Sequence, residues 1–243
     1  MSVITSPALA FPSPPLVTLP IEGSHERFPV GRVFCIGRNY PWTPQDRDKP
    51  RTMPSWFMKP ATAIFHAQGT LPYPTGTNDF CHEIELVVGI GCSGSKIPVS
   101  EVLRQYVWGY CAGLDLTRRD LQQEAKQQGG PWEPAKAFDH SAPCSAMVPS
   151  IVSGHPNQQA IWLKVNGIER QHAVISDLLY SVPELISMLS HSVMLQAGDL
   201  IFTGTPSGVQ SLQTHDLIEA GVDGIGLMTL TVGDPGQATL PTS

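Results

Sequence analysis

The chain has 243 residues, 41% of them apolar, with 15 basic and 21 acidic side chains and a net charge of -6. That length suits one domain with a sizeable core, read here as residues 31–243 behind an N-terminal extension over 1–30. The acidic balance gives no electrostatic reason to expect nucleic acid or an anionic membrane as partner, and no run of 18 apolar residues is present to span a bilayer.

The 22 glycines and 23 prolines are spread along the chain, which predicts many short elements joined by turns and leans towards β structure. Five cysteines (Cys35, Cys81, Cys92, Cys111, Cys144) are an odd number without a CxxC pair. Most sit in apolar company, so they are expected to be reduced, mostly buried thiols of a cytoplasmic protein. Arg27 is the first Lys or Arg, and Phe11-Pro12-Ser13-Pro14-Pro15 would break an apolar leader helix, so no signal peptide is expected.

In chain order, residues 1–30 are Pro-rich and predict extended chain, with an edge strand at most. Gly31–Ile36 predicts a short buried strand that ends in the turn Gly37-Arg38-Asn39-Tyr40. Residues 41–54 predict an exposed loop, in which Thr43-Pro44-Gln45-Asp46 starts a single helical turn with Thr as N-cap and Asp at N3. Ser55–Met58 and Ala63–His66 are short strand candidates on either side of Lys59-Pro60. His82–Ile90 is the strongest strand signal, and Val107–Leu116 is the second. A helix follows from about Arg118 to Gln128, stopped by Gly129-Gly130-Pro131. Ile161–Val165 predicts a strand, with Asn166-Gly167 as a type I′ hairpin turn. Ser181-Val182-Pro183-Glu184 is a capping box opening a helix that places Leu185, Leu189 and Val193 on one face. Asp199–Thr203 and Gly226–Val232 close the set of strands.

Chemistry enters with Glu83-x-Glu85. Residues i and i+2 of a strand share a face, so both carboxylates project together while Ile84 points away. Two adjacent carboxylates at the head of an apolar run are costly unless a positive charge lies between them. A hard divalent cation meets that need, because Mg²⁺ and Mn²⁺ prefer oxygen ligands and keep positions for water and substrate. A pair of acids facing solvent is the alternative. Asp115 ends the second apolar strand, where it could join such a site or equally cap the following helix.

These residues fall in a series of motifs that resembles the fumarylacetoacetate hydrolase family over about residues 30–233. The motifs are Cys35-Ile36-Gly37-Arg38-Asn39-Tyr40, Phe57-Met58-Lys59-Pro60, His82-Glu83-Ile84-Glu85-Leu86 and Gly113-Leu114-Asp115-Leu116-Thr117-Arg118-Arg119-Asp120-Leu121-Gln122. They continue with Lys136-Ala137-Phe138-Asp139, Leu163-Lys164-Val165-Asn166-Gly167 and the run from Gly198 through Gly204-Thr205-Pro206 to Val209. The nearest resemblance is to bacterial fumarylpyruvate and acylpyruvate hydrolases.

The resemblance implies a mainly β fold with few helices (α+β), a mixed β-sandwich roll, in a homodimer. It implies Mg²⁺ or Mn²⁺ held by Glu83, Glu85 and Asp115 in a catalytic domain over 31–243. Lys59 and Lys136 would contact the substrate or the reacting water, and Arg38, Gln122 and Thr205 would line a pocket for a small 2-oxo acid. The implied activity is hydrolysis of a C–C bond in an acylpyruvate such as fumarylpyruvate. The alternatives on the same platform are oxaloacetate decarboxylation, keto–enol tautomerism, or metal binding without catalysis. Where the family carries a His and a Glu after Gly-Arg-Asn-Tyr, this chain has Thr43 and Asp46. Asp46 is therefore the expected base, with His140 as its substitute, and His82 is expected to orient one of the metal glutamates.

Overall fold

A computed structural model of the protein describes residues 9–235. Its architecture follows from one strand. Ile84–Ile90 is buried at every position, and an unbroken apolar run of this kind needs cover on both faces. It lies near the middle of an eight-stranded mixed sheet. On one side it pairs antiparallel with Val107–Leu114, and on the other with Leu200–Phe202. Leu200–Phe202 in turn pairs parallel with Val33–Gly37, which pairs with the edge strand Ser55–Lys59. Past Val107–Leu114 come Ala142–Cys144 and Ile64–His66, with Val148–Pro149 as a short branch.

The two faces of this sheet feed different cores. Ile84, Leu86, Val88 and Ile90 point into the larger core, where they meet Leu163, Ile218, Ala220 and Leu230. Those partners belong to a second sheet of five strands in the order Ile168–Val174, Ala160–Val165, Leu217–Val222, Gly226–Gly233, Gln68–Pro72. Val87 points the other way, into a smaller cluster with Val33, Cys35, Cys111, Cys144 and Phe202. Leu19 and Phe28, from the antiparallel pair Thr18–Pro20 and Arg27–Pro29, cover that side. Each fully buried aliphatic side chain here contributes about 1.5–3 kcal/mol. Burial in Ala160–Val165 alternates residue by residue, as a sheet with one solvated face requires.

The mainly β, mixed-sheet expectation holds, and most predicted elements are present with ends moved by one to three residues. The predicted hairpin forms: Asn166 and Gly167 both take positive φ (52° and 75°) between paired strands, the backbone a type I′ turn demands. The helix after Asp115 spans Arg119–Gln128 and stops at Gly129, whose φ of 67° caps it. In the capping box, the Ser181 amide donates to Glu184 Oε2 at 2.8 Å and the helix runs over Val182–Ser192. The Pro-rich start holds a two-stranded hairpin rather than extended chain alone, because Leu19 and Phe28 have a core to enter. Its first eight residues lie outside the described region. No helix among the described residues is long and apolar enough to cross a membrane.

Candidate metal centre and active-site cleft

Pairing of the two central strands builds the site. The register aligns Ile84 with Leu114, and the Asp115 amide donates to the Glu83 carbonyl at 2.8 Å. This ladder sets Glu83, Glu85 and Asp115 around one point, and one carboxylate oxygen from each lies within 4.8 Å of the others. All three residues are buried, with Glu85 and Asp115 only 1% and 2% exposed.

Cations surround these acids unevenly. Lys136 Nζ donates to Glu83 Oε2 at 2.8 Å and to Asp115 Oδ2 at 2.7 Å. Arg119 Nη2 holds Glu83 Oε1 at 2.6 Å. Lys59 Nζ stands 3.0 Å from Asp115 Oδ1 and also donates to the carbonyls of Leu116 and Lys136. Lys59 and Asp115 Oδ1 are thus an ion pair, yet the buried oxygen has no aligned hydrogen bond. Glu85 has no cation of its own; its one bond is from the Gly204 amide to Oε2 at 2.6 Å.

Burial, followed by the charges of Asp115 and Glu83, pushes the Glu85 carboxyl well above the usual carboxylate range. Burial acts the same way on Asp115, but the charges of Lys136 and Lys59 overcome it and hold that carboxyl low. For Lys136, burial opposes the charged form, and Asp115 and Glu83 outweigh it to raise the ammonium. One unneutralised buried carboxyl, one buried oxygen without a hydrogen bond and three converging oxygens fit a hard divalent ion. Histidine and thiolate ligands are absent from the cluster, which argues for Mg²⁺ or Mn²⁺ over softer metals.

These shifts predict a pH signature for the ion-free protein. Folded Glu85 keeps its proton where the unfolded chain has lost it, so stability falls as pH rises from about 4.3, the ordinary glutamate value. Asp115 acts oppositely: its contribution is complete above the unfolded aspartate value and is lost as pH falls through its depressed one. Melts in EDTA are therefore expected to decline from about pH 5 upward, and saturating Mg²⁺ should flatten the decline. A melting temperature that climbs steadily over the same range in EDTA would contradict the Glu85 assignment.

A cleft of about 290 Å³ opens over the carboxylates, lined also by Arg38, Trp42, Phe57, Arg119, Gln122, Lys126, Trp132, Lys136 and Thr205. Its polar groups are turned so that donors face inward. Gln122 Oε1 accepts from Arg119 Nη1 at 2.6 Å and Lys126 Nζ at 3.1 Å, so its amide NH₂ is left to donate. Thr205 Oγ1 accepts from Gln171 Nε2 at 2.8 Å, which leaves its own hydroxyl proton to give. Lys136 uses two of its three protons on carboxylates.

The backbone beneath is fixed by Asn39, fully buried, whose Nδ2 donates to the carbonyls of Thr203 and Tyr180, each at 2.9 Å. Arg38 takes a φ of 62°, unusual for a side chain of its size, and so projects from this anchored turn. Gly204 has a φ of 102°, and a Cβ there would come within 2.8 Å of the Asn39 Cβ. Gly204→Ala is expected to cost about 1–3 kcal/mol and to weaken divalent-ion binding by displacing the amide that holds Glu85. Melts with and without Mg²⁺ would check both effects.

Of the residues singled out in the sequence, Glu83, Glu85, Asp115, Lys136, Arg38, Gln122 and Thr205 come together in this cleft. Four others do not. Lys59 lies behind Asp115, 1% exposed and outside the cleft lining, with its ammonium committed to Asp115 and two carbonyls. Asp46 is in the predicted turn, observed as a 3₁₀ helix over Pro44–Asp48, and it also lies outside the lining. Its carboxylate accepts from Lys49 Nζ at 2.6 Å and from the Thr43 amide at 2.8 Å, bonds that lower its pKa to about 2. His82 bonds Gln171 Oε1 through Nδ1 at 2.9 Å instead of orienting a glutamate. His140 packs its ring against Phe65, away from the cleft.

Arg119, Lys126, Trp132 and Gln171 were not anticipated as site residues. Arg119 lies within the motif from Gly113 to Gln122 and could have been suspected. Gln171 could not: it is the one buried residue of its strand, and only the fold reveals that it bridges Ile84, His82 and Thr205.

A mixed-sheet roll with an acidic triad under a cation-lined cleft defines a class, and residues 32–233 match the family model "Fumarylacetoacetate (FAA) hydrolase C-terminal". The chain belongs to the fumarylacetoacetate hydrolase family. It is similar to a solved structure from Burkholderia cenocepacia, described as a candidate fumarylpyruvate hydrolase. The identity is 47% and the TM-score 0.89, covering 94% of this chain and 99% of that one. It is also similar to a fumarylpyruvate hydrolase from Pseudomonas aeruginosa solved with Mn²⁺ and pyruvate. There the identity is 41% and the TM-score 0.88, covering 93% and 99%. Among curated proteins, the mouse mitochondrial oxaloacetate tautomerase FAHD1 is 40% identical over 201 residues, 82% of this chain and 90% of that protein.

Proposed function

We propose that this chain is a divalent-metal-dependent hydrolase of acylpyruvates of the fumarylpyruvate type, releasing pyruvate and a carboxylic acid. The observation that carries this reading is the convergence of Glu83, Glu85 and Asp115 within 4.8 Å beneath a cleft whose free polar groups are donors. Near-complete mutual coverage with the Pseudomonas fumarylpyruvate hydrolase supports it. A homodimer is part of the same proposal, to be checked by light scattering.

Bound by the three carboxylates, Mg²⁺ or Mn²⁺ would polarise the 1-carboxylate and 2-oxo oxygens of the substrate and favour the enolate that departs. The protein supplies the remainder. Thr205 Oγ–H and the Gln122 amide orient the oxo acid. The third Lys136 proton donates to oxygen atoms on which negative charge develops. Water adds to the distal acyl carbonyl, the C–C bond breaks with its electron pair going to the pyruvate enolate, and protonation of that carbon completes the products. The walls of Trp42, Phe57 and Trp132 narrow the access of bulk solvent.

One observation favours a second reading. Among the described lining residues there is no histidine, and every lining carboxylate belongs to the triad, so no separate base stands ready to activate water. Keto–enol tautomerism of oxaloacetate needs no attacking water, only a group such as Lys136 to relay the proton between carbon and oxygen, and the likeness to the oxaloacetate tautomerase FAHD1 supports it.

A substrate panel separates the two. With Mg²⁺, loss of the diketone absorbance of fumarylpyruvate, with pyruvate released in equal amount, is the expected outcome. Rapid interconversion of oxaloacetate enol and keto forms, without acylpyruvate cleavage, would replace the hydrolase reading by the tautomerase one. Carbon dioxide release from oxaloacetate would indicate a decarboxylase, and no turnover at all would leave metal and acid binding alone.

A further inference from the structure

The charges around the cleft divide into a balanced set and a surplus. Lys59, Lys136 and Arg119 contact Glu83 and Asp115, and Glu85 contacts no cation, so the three acids are matched in number by three cations. Arg38 and Lys126 also belong to the lining, and among the described residues neither has a carboxylate partner. A divalent ion on the triad would add two further positive charges. A substrate with only its 1-carboxylate would leave most of this surplus unanswered, whereas a second carboxylate at the far end would answer more of it.

Lys126 is built into place and is not a stray surface lysine. It sits in the last turn of the helix Arg119–Gln128, where the helix dipole favours a cation. Its Nζ donates to Gln122 Oε1 at 3.1 Å and lies 5.1 Å from the centre of the Trp132 ring. Trp132 in turn packs on Phe57 at 5.9 Å between ring centres. Two contacts therefore fix the ammonium at the cleft wall, one turn of helix outward from Gln122. Partial burial first, and then the charges of Arg119 and Arg38, hold the ammonium below its usual value against a smaller pull from Glu83. Two mutually repelling cations lining one concave site create a place for an anion.

We propose that Lys126, assisted by Arg38, is the specificity-determining cation that reads a distal carboxylate, so that the site prefers 2-oxo acids carrying a second acid group at the opposite end. This rests on the oxo-acid reading of the site and adds the substrate class to it. Gln122 divides the work: its amide faces the oxo-acid end, and its carbonyl oxygen ties Lys126 to the tail end. Arg119 is already spent on Glu83.

The test compares Lys126→Met with the Mg²⁺-loaded wild type on two acylpyruvates, one ending in a carboxylate (fumarylpyruvate) and one ending in a methyl group (acetylpyruvate). The expected result is a fall of about tenfold in the ratio of kcat/KM for fumarylpyruvate to kcat/KM for acetylpyruvate, the scale of one charge-assisted hydrogen bond, any loss through Gln122 being shared by both substrates. Lys126→Arg should recover most of the selectivity. Equal losses on both substrates would mean that Lys126 acts only by holding Gln122, and would overturn the proposal, as would no change on either. A binding measurement guards against failure of the hydrolase reading itself. 2-Oxoglutarate and 2-oxopentanoate have the same five-carbon skeleton and differ in the far carboxylate. Calorimetry on the Mg²⁺-loaded wild type should favour the diacid, and Lys126→Met should erase that preference even if neither acylpyruvate is cleaved. Equal affinity of the wild type for the two acids would overturn the proposal.

Discussion

Glu85→Gln is expected to abolish metal-dependent turnover while leaving the ion-free protein as stable as the wild type or more so. The glutamine keeps an oxygen in place to accept the Gly204 amide and keeps the shape of the side chain. It loses only the charge, and that charge is what the fold resists: burial, Asp115 and Glu83 all favour the protonated form. Glutamine mimics that form permanently, so the penalty of ionisation disappears from the folded state. Affinity for Mg²⁺ should fall by more than a hundredfold, since disturbing even an outer-sphere partner of a metal ligand costs about 10–100-fold. Thermal melts separate the two effects. In EDTA the variant should melt at or above the wild-type temperature, and the rise that Mg²⁺ gives the wild type should vanish. A variant that keeps both the rise and the turnover would remove Glu85 from the centre.

Lys136→Met should behave in the opposite way. The ammonium is 2% exposed and bridges Glu83 and Asp115 at 2.8 and 2.7 Å. Its removal leaves Glu83 with Arg119 alone and Asp115 with Lys59 alone in a buried network short of one positive charge, a loss of about 3–5 kcal/mol. A divalent ion supplies the missing positive charge, so Mn²⁺ or Mg²⁺ should restore part of the melting temperature. The same ion should not restore activity, because the proton donated to developing negative charge has gone; a drop in kcat of roughly 10²–10³-fold is expected. Activity close to wild type in the refolded, metal-loaded variant would show that Lys136 is structural only.

These two variants also show how far the sequence could be read. Glu83 and Glu85 announced a shared face because a strand has a period of two, and the apolar run behind them made exposure on that face expensive. Asp115 was ambiguous on its own. Its membership depends on the pairing of Ile84–Ile90 with Val107–Leu114, a long-range fact that no local pattern states. The family resemblance supplied it, and it also brought Lys136, Gln122 and Thr205.

What the sequence hid was orientation. The Lys59 motif is intact, yet the side chain points behind Asp115 and spends its protons on carbonyls. Asp46 sits near the expected place in the chain, but a local turn with Thr43 and Lys49 satisfies it more cheaply than the cleft could. Strands such as Gln68–Pro72 and Leu217–Val222 escaped notice for a related reason. Their glycines and polar residues carry little strand preference, and they form because neighbouring strands offer a register.

The rung between the Asp115 amide and the Glu83 carbonyl has a consequence for how this protein can change. The spacing of the three acids is set by strand pairing and not by the length of the chain that joins them. Residues 91–106, which connect the two strands, can therefore be lengthened, shortened or rebuilt without retuning the ligand geometry. A circular cut or an inserted module in that connector should spare ion binding, whereas a two-residue slip along the ladder would scatter the ligands at once.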